Sequence, residues 1–174
     1  MIKKTTNRIK TTKLEIVEAW RHEIDNGSVN VTLKNASTTC WRCGVKKRLD
    51  RCHIVPHSKG GEDTPSNFVL LCKHCHFDNP NLDRADIIWD WLRAYKLDEE
   101  QPFWFMQGER EFSFIYNTTL DQQLLKIGFS DREAFNTLFQ EEMKEAGHHF
   151  GQPRRNRATV AGIIAITLDK LKGE

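Results

Sequence analysis

Cysteine side chains crowd one short part of this 174-residue chain. Four of the five cysteines form two Cys-x-x-Cys pairs, Cys40 with Cys43 and Cys72 with Cys75. Two such pairs can give four thiolates to one tetrahedral metal ion, and soft thiolates select zinc over magnesium. The pattern therefore predicts a closed, structural zinc site. Zinc binding would contribute folding free energy of about 10 kcal/mol to a segment that has few aliphatic residues of its own.

Histidines stand beside these cysteines along the chain. His53 lies in the run RCHIVPHSKGG, where we expect a strand that stops at Pro56. His76 directly follows Cys75, which fixes its place relative to the zinc site. Asn67 precedes the apolar stretch FVLL, where its amide group can bond to the backbone of a loop. The zinc site would bring the segments that carry the two histidines together.

Residues 38–80 resemble the HNH nucleases of the ββα-metal type, in the variant that four cysteines staple with zinc. Both cysteine pairs, the H-I-V-P turn, the Gly-Gly loop, the Ser-Asn pair and the final Cys-His occur in the family's order. The resemblance implies an α+β fold in which a zinc-stapled ββα-metal module is embedded in flanking α-helices. It also implies an endonuclease that hydrolyses DNA phosphodiester bonds with one catalytic divalent cation, Mg²⁺, or Mn²⁺ or Ni²⁺.

The resemblance implies a role for each of three side chains. His53 would be the general base that activates water, which suits an imidazole that is neutral near pH 7. Asn67 would tie down the long loop and orient the base. His76 would bind the catalytic cation, and a metal ion can carry the charge that develops on the phosphate and on the departing 3′-oxygen.

Cys52 departs from the family pattern, because many members have an aspartate directly before the first histidine as a second metal ligand. A thiolate suits magnesium poorly. The second ligand is therefore open between Cys52 with a softer metal, a carboxylate such as Asp50 or Asp78, and water alone. Cys52 can equally be a buried apolar residue that fills the core.

The rest of the chain is predicted to be mostly helical. Thr12 and Glu15 form a capping box that begins a first helix. Apolar residues at helical spacing predict three more helices, in RADIIWDWLRAYKL, in SDREAFNTLFQEEMKEAG with Ser130 as its cap, and in TVAGIIAITLDKLK. Alternation in FWFMQGEREFSFIY predicts a β-hairpin. The predicted domains are an N-terminal helical region at 1–37, the HNH module at 38–82, and a mainly helical region at 83–174 with a role in DNA recognition.

Charge and hydropathy indicate which binding partners to expect. The net charge of +2 is close to neutral, but basic residues cluster near the cysteines and before the last helix. The predicted DNA contacts are Arg51, His57, Lys59, Arg154, Arg155 and Arg157, with 46–48 as a further basic segment near phosphate. The expected partner is double-stranded DNA and no membrane, since no apolar run reaches the roughly 18 residues that span a bilayer. An odd cysteine count without a secretion signal argues against a disulfide framework, so we expect a cytoplasmic protein. A prokaryotic or phage origin is part of this expectation.

Two other functions stay open on the sequence alone. A non-catalytic, zinc-stapled nucleic-acid-binding module would bind DNA or RNA without cutting it, and Cys52 is its best support. A protein-interaction adaptor would use the aromatic helices, with zinc as a staple only. Within the nuclease interpretation, a restriction-type enzyme is favoured over a homing or phage-packaging one, and restriction of symmetric sites would favour a homodimer.

Overall fold

Helices precede and follow a small sheet in this protein. A computed structural model describes residues 9–95, 102–146 and 155–173. Within these ranges there are eight α-helices and one two-stranded antiparallel sheet, which confirms the predicted α+β class. The elements are α1 (Lys13–Ala19), α2 (Arg21–Asp25), β1 (Leu49–His53), β2 (Phe68–Cys72), α3 (Lys73–Phe77), α4 (Ala85–Arg93), α5 (Phe103–Tyr116), α6 (Leu120–Lys126), α7 (Glu133–Glu145) and α8 (Arg157–Lys172). No described helix is long and apolar enough to cross a membrane.

The chain divides into two units, Met1–Leu97 and Asp98–Glu174. The first unit contains the sheet and α1 to α4, and the second contains α5 to α8. The sheet and the helices on both sides of it in the sequence therefore belong to one unit.

The two strands and the helix that follows them form a ββα element. Strand β1 pairs antiparallel with β2, so that Cys52 lies opposite Val69 and His53 lies opposite Phe68. All five residues of β2 are buried. Cys72 ends β2 and is also the N-cap of α3, so the strand passes directly into the helix. This arrangement matches the ββα element that the resemblance implies, and it fixes α3 relative to β1. The predicted strand around His53 is confirmed, although it ends at His53 and not at Pro56.

Helix α1 helps to cover the buried strand. It begins at the predicted capping box, in which the Glu15 N–H donates to the Thr12 hydroxyl at 3.3 Å and the Thr12 N–H donates to the Glu15 carboxylate at 2.6 Å. The helix stops at Trp20, and the short helix α2 follows it directly. The Trp20 indole N–H donates to the Phe68 carbonyl at 2.9 Å, and its ring meets that of Trp89 edge-on at 4.6 Å. The ββα element therefore shares an apolar core with α1 and α4.

The predicted β-hairpin in the second unit is wrong, because Phe103–Tyr116 is one helix, α5. Gly108, which suggested a turn, instead lets α5 approach α8 closely. A Cβ atom at Gly108 would lie 2.1 Å from Cγ1 of Val160. Phe105 and Phe112 face the same core. A glycine inside a helix can therefore mark a close helix contact, which periodicity alone does not distinguish from a turn.

Helices α4, α7 and α8 lie where helices were predicted, although the start of α7 differs. Its N-cap is Arg132 and not Ser130. Asp131 accepts the Glu133 N–H at 3.0 Å and so supplies the side-chain acceptor near the helix start. Gly147, the predicted stop, lies outside the described residues. The core of this unit contains two stacked phenylalanines of α7, Phe135 and Phe139, with ring centroids 5.5 Å apart.

Candidate active site

The first cysteine pair lies in a tight turn of the backbone. The Cys40 N–H donates to the carbonyl of Val45 at 3.0 Å, and the Gly44 N–H donates back to the Cys40 carbonyl at 2.9 Å. Gly44 has a φ of +63°, which glycine adopts without strain. Cys43 is thereby turned toward the same side as Cys40. The second pair comes from the end of β2 and from α3, so four cysteines from two parts of the chain meet.

The four sulfur atoms have the geometry of a tetrahedral zinc site. They all lie within 4.8 Å of one another, and the sulfurs of Cys43 and Cys72 are 3.9 Å apart. Zinc–sulfur bonds of about 2.3 Å give a tetrahedron with edges of about 3.8 Å. All four cysteines are buried. Hydrogen bonds from Cys40 and then Cys43 lower the pKa of Cys72, whereas hydrogen bonds from the same two cysteines raise the pKa of Cys75. This donor set fits the predicted structural zinc.

Arg42, which the sequence analysis missed, fastens the first cysteine pair to α4. Its guanidinium lies over the Trp91 ring, 3.6 Å from the centroid, and over the Tyr95 ring at 4.7 Å. The side chain is only 7% exposed. The Asn30 amide donates to the Arg42 carbonyl at 2.6 Å. Trp91 lies near the end of α4 and Tyr95 lies two residues past that end. Two aromatic residues four positions apart are the signal that could have indicated a stacking site for an arginine.

His53 and His76 line the same pocket, although they are far apart in the sequence. The pocket has a volume of about 330 Å³ and opens to solvent. His53 comes from the end of β1, and His76 from α3. The His53 ring packs on the Phe68 ring, with centroids 4.4 Å apart. The pairing of β1 with β2 and the helix that follows therefore place two partly exposed imidazoles around one open space.

Asn67 ties together the loop that follows β1. Its carbonyl oxygen accepts the Val55 N–H at 2.9 Å, and its amide donates to the carbonyls of Val55 at 3.0 Å and Glu62 at 2.9 Å. Gly61 lies against the same point, because a Cβ there would be 1.7 Å from the Val55 carbonyl oxygen. The loop that begins two residues after His53 is therefore held by one amide side chain and by close backbone packing.

Comparison with known proteins supports the family that the sequence resembles. The family model for the HNH endonuclease matches residues 38–81, about a quarter of the chain. We refer to these residues as the HNH domain. With the four clustered cysteines, the match fits the zinc-stapled ββα-metal module, and it indicates nuclease-type activity in general. Neither a curated protein nor a solved structure matches the chain.

The pocket of the HNH domain favours a neutral imidazole and a neutral thiol. Burial lowers the pKa of His53, and the positive charge of His57, when protonated, lowers it further. Burial also raises the pKa of Cys52 to about 12. Cys52 is 1% exposed. Its side chain is therefore a protonated thiol near pH 7, which is a poor metal ligand and a good apolar filler.

Each of two histidines on α3 faces its own carboxylate. Nδ1 of His76 lies 3.3 Å from the Asp50 carboxylate, and both side chains are 41% exposed. Nε2 of His74 lies 3.7 Å from the Asp78 carboxylate, and this pair is more exposed. His76 lines the pocket that contains His53, whereas His74 and Asp50 line a different pocket of about 520 Å³.

The predicted DNA contacts near the pocket differ in their surroundings. His57 and Lys59 belong to one exposed 3-10 turn directly after Pro56, and His57 lines the pocket. Arg51 has other partners, because its guanidinium donates to the Thr11 carbonyl at 2.7 Å and also to the Ile9 carbonyl at 3.3 Å. It thus holds the segment before α1 against the HNH domain.

The predicted arginines of the second unit also have intramolecular partners where they are described. Arg155 donates to the Ala146 carbonyl at the end of α7. Arg157, the first residue of α8, pairs with Glu111 at 3.0 Å, although two thirds of its side chain is exposed. Arg154 lies outside the described residues. A DNA contact by these arginines stays a prediction.

Proposed function

We propose that the HNH domain is a metal-dependent DNA endonuclease that hydrolyses phosphodiester bonds. The observation that carries the proposal is the shared pocket of His53 and His76. One imidazole can serve as a base while the other holds a cation, and hydrolysis of a phosphodiester needs both functions. The pocket opens to solvent, so a polymer backbone can reach it from the surface.

His53 is the proposed general base. It accepts a proton from water as the water oxygen bonds to phosphorus, and the bond from phosphorus to the 3′-oxygen then breaks. The lowered pKa keeps the ring neutral at physiological pH, which a proton acceptor requires. The Phe68 ring restricts the tilt of the imidazole, and Asn67 fixes the loop beside it. Both contacts would orient the base before substrate binds.

His76 is the proposed protein ligand of the catalytic cation. Among the described residues, the four zinc cysteines are the one group of three or more side chains that could hold a metal together. The pocket would therefore offer a cation the imidazole of His76 and leave positions for water and phosphate. An imidazole ligand suits Ni²⁺ better than Mg²⁺, which prefers oxygen ligands. When bound, a divalent cation supplies positive charge to the phosphate and to the leaving oxygen. We propose that Cys52 packs in the core and does not bind the ion.

The pocket rim supports DNA as the substrate. His57 and Lys59 stand on one exposed turn at this rim and could contact phosphates. Phe77, the last residue of α3, also lines the pocket and is 80% exposed. An exposed aromatic ring beside the reacting groups could stack on a base or sugar of a bound strand. A restriction role, and a homodimer that cuts both strands of a symmetric site, are part of this proposal and need separate tests.

Cleavage of supercoiled plasmid tests the proposal directly. The wild-type protein should cut the plasmid with Mg²⁺, Mn²⁺ or Ni²⁺, and His53→Ala should cut about 10²- to 10⁴-fold more slowly. His74→Ala is the matched control, because His74 lies on α3 but outside the His53 pocket. Equal cleavage by the wild type and His53→Ala would show that His53 is not the base.

A non-catalytic DNA-binding module is the second candidate, and one observation favours it. Cys52 stands where the family resemblance leads one to expect a carboxylate ligand, and it is buried. This alternative predicts that the protein retards DNA in a gel with or without added divalent metal and never cuts it. Binding that persists in chelator, with no cleavage in any of the three metals, would favour it over the nuclease.

A further inference from the structure

We propose that Asp50 is a positioning residue that holds His76 through Nδ1 and leaves Nε2 to bind the catalytic cation. The inference rests on the proposed function and deepens it, because it assigns the side chain that orients the metal ligand. It concerns a carboxylate outside the pocket and not a further ligand inside it.

The topology of the ββα element brings the two side chains together. Strand β1 places Asp50 opposite Leu71, and α3 starts directly after β2, so the helix packs on both strands. Asp50 and Cys52 are two residues apart on β1, so they point to the same face of the strand. His76 lies on the helix that packs against β1. The 3.3 Å separation of Nδ1 and the carboxylate follows from this packing.

A carboxylate at Nδ1 determines what the rest of the imidazole ring can do. In the neutral ring one nitrogen carries the proton and the other has a lone pair. An acceptor at Nδ1 favours the tautomer with the proton on Nδ1, and this leaves the lone pair on Nε2. Histidines that bind metals are commonly held in this way by a carboxylate, which fixes the ring and increases its basicity.

The surroundings of Asp50 favour positioning over direct ligation. His76 lines the pocket shared with His53, whereas Asp50 lines a different pocket together with Lys73 and Arg48. These two basic side chains would also compete with a cation for the Asp50 carboxylate. Cys52, on the same face of β1, does line the His53 pocket. The strand therefore presents a thiol to the pocket and a carboxylate to the ring of His76.

The test compares Asp50→Ala and Asp50→Asn with Asp78→Asn, each in the full-length, zinc-loaded protein. Nitrogen-15 NMR of the histidine rings, without added divalent cation, reports the His76 tautomer independently of catalysis. Titration calorimetry with Mn²⁺ reports the affinity of the pocket. We expect Asp50→Ala to lose the excess of the Nδ1–H tautomer and to bind Mn²⁺ about 10- to 100-fold more weakly. Asp50→Asn should lie in between, because its amide oxygen still accepts a hydrogen bond.

Asp78→Asn should leave both readouts at the wild-type value, because Asp78 faces His74. An unchanged tautomer and unchanged Mn²⁺ affinity in Asp50→Ala would overturn the inference. Equal and complete loss of Mn²⁺ binding in both Asp50 variants, with the tautomer unchanged, would make Asp50 a direct ligand and also overturn it. His76→Ala separates the two proposals, since wild-type Mn²⁺ binding in that variant would refute His76 as the ligand, whatever Asp50 does.

Discussion

The two units of this protein hold their side chains in place by different means. The first unit places four buried cysteines at one point and builds the candidate active site on the strands and helix that carry them. The second unit has a continuous core of aliphatic and aromatic side chains from four helices. A core of that kind stabilises its helices through apolar contacts. The difference shows that a small metal-stapled element can present histidines from one short strand and one short helix.

Loss of zinc should give the largest difference in stability between the two units. Cys72→Ser deletes a ligand that also joins β2 to α3, so the first unit should lose its zinc and most of its folding free energy. The loss is on the order of 10 kcal/mol in small zinc units. The helical unit has no ligand in this cluster and should keep its helices. Zinc content by mass spectrometry and thermal unfolding by circular dichroism measure the two effects.

Cys52→Ala is the matched control for the zinc ligand, because Cys52 is a buried cysteine of the same sheet that lies outside the cluster. It should retain one zinc ion per chain and lose only the stability expected of a small cavity. If Cys72→Ser keeps its zinc and its unfolding temperature, the comparison between a metal-held and an apolar-held unit fails.

Phe139→Ala should weaken the second unit without removing zinc from the first. Phe139 is 2% exposed and packs between Phe105 and Phe135. Truncation of a buried phenylalanine costs about 3–5 kcal/mol. We expect a lower unfolding midpoint for the helical transition and an unchanged zinc content. Phe114→Ala, at an exposed position of α5, should leave the midpoint nearly unchanged. Loss of zinc in Phe139→Ala would show that the units do not fold separately.

The two units also differ in how much of their structure could be predicted from the sequence. In the HNH domain, the spacing of the four cysteines predicted the zinc site, and the resemblance carried by residues such as Gly61 and Asn67 implied the ββα element and its loop. Helix α5 was missed because its pattern depends on a partner helix. Gly108 is required because α5 packs closely on Val160 of α8, and no residue near Gly108 in the sequence indicates that contact.

The pairing of Asp50 with His76 could not be predicted from residue spacing either, because it also depends on a contact between residues that are distant in the sequence. Asp50 and Asp78 were equal alternatives in the sequence, since both are close to a histidine or cysteine. The antiparallel register and the packing of α3 on β1 separate them, because they direct Asp50 to His76 and leave Asp78 with His74. Contacts between distant parts of the chain therefore distinguish Asp50 from Asp78, which the neighbouring sequence does not.

One glycine in each unit allows the two units to be compared by a smaller loss of stability. In Gly61→Ala the new methyl group would meet backbone, with the Val55 carbonyl oxygen 1.7 Å away, so the Asn67 loop must move. In Gly108→Ala it would meet the end of the Val160 side chain at 2.1 Å, so a helix must shift or a rotamer must change. Overpacking costs about 1–3 kcal/mol, and we expect Gly61→Ala to lie at the upper end. Urea unfolding measures both costs.

Only Gly61→Ala should also slow DNA cleavage, because its loop adjoins His53, whereas Gly108 belongs to the helical unit. Cleavage rates measured in the same preparations, at a temperature where both variants are folded, separate this effect from stability. A loss of cleavage in Gly108→Ala as large as that in Gly61→Ala would contradict the assignment of the candidate active site to the first unit.

The smallest predicted effect is a shift in the pH dependence of cleavage. A general base acts when neutral, so the rate should rise with pH through the pKa of His53. Burial and the charge of His57 lower this pKa, which places the acid limb below the ordinary histidine value of 6.5. His76 acts in the same direction as His57, while Asp63 raises the pKa. His57→Ala should therefore move the limb to higher pH, and Asp63→Asn should move it to lower pH. Opposite displacements in single-turnover pH–rate profiles would identify His53 as the titrating base. Shifts of the same sign, or none in either variant, would assign the limb to another group, because the charges of the two neighbours are opposite.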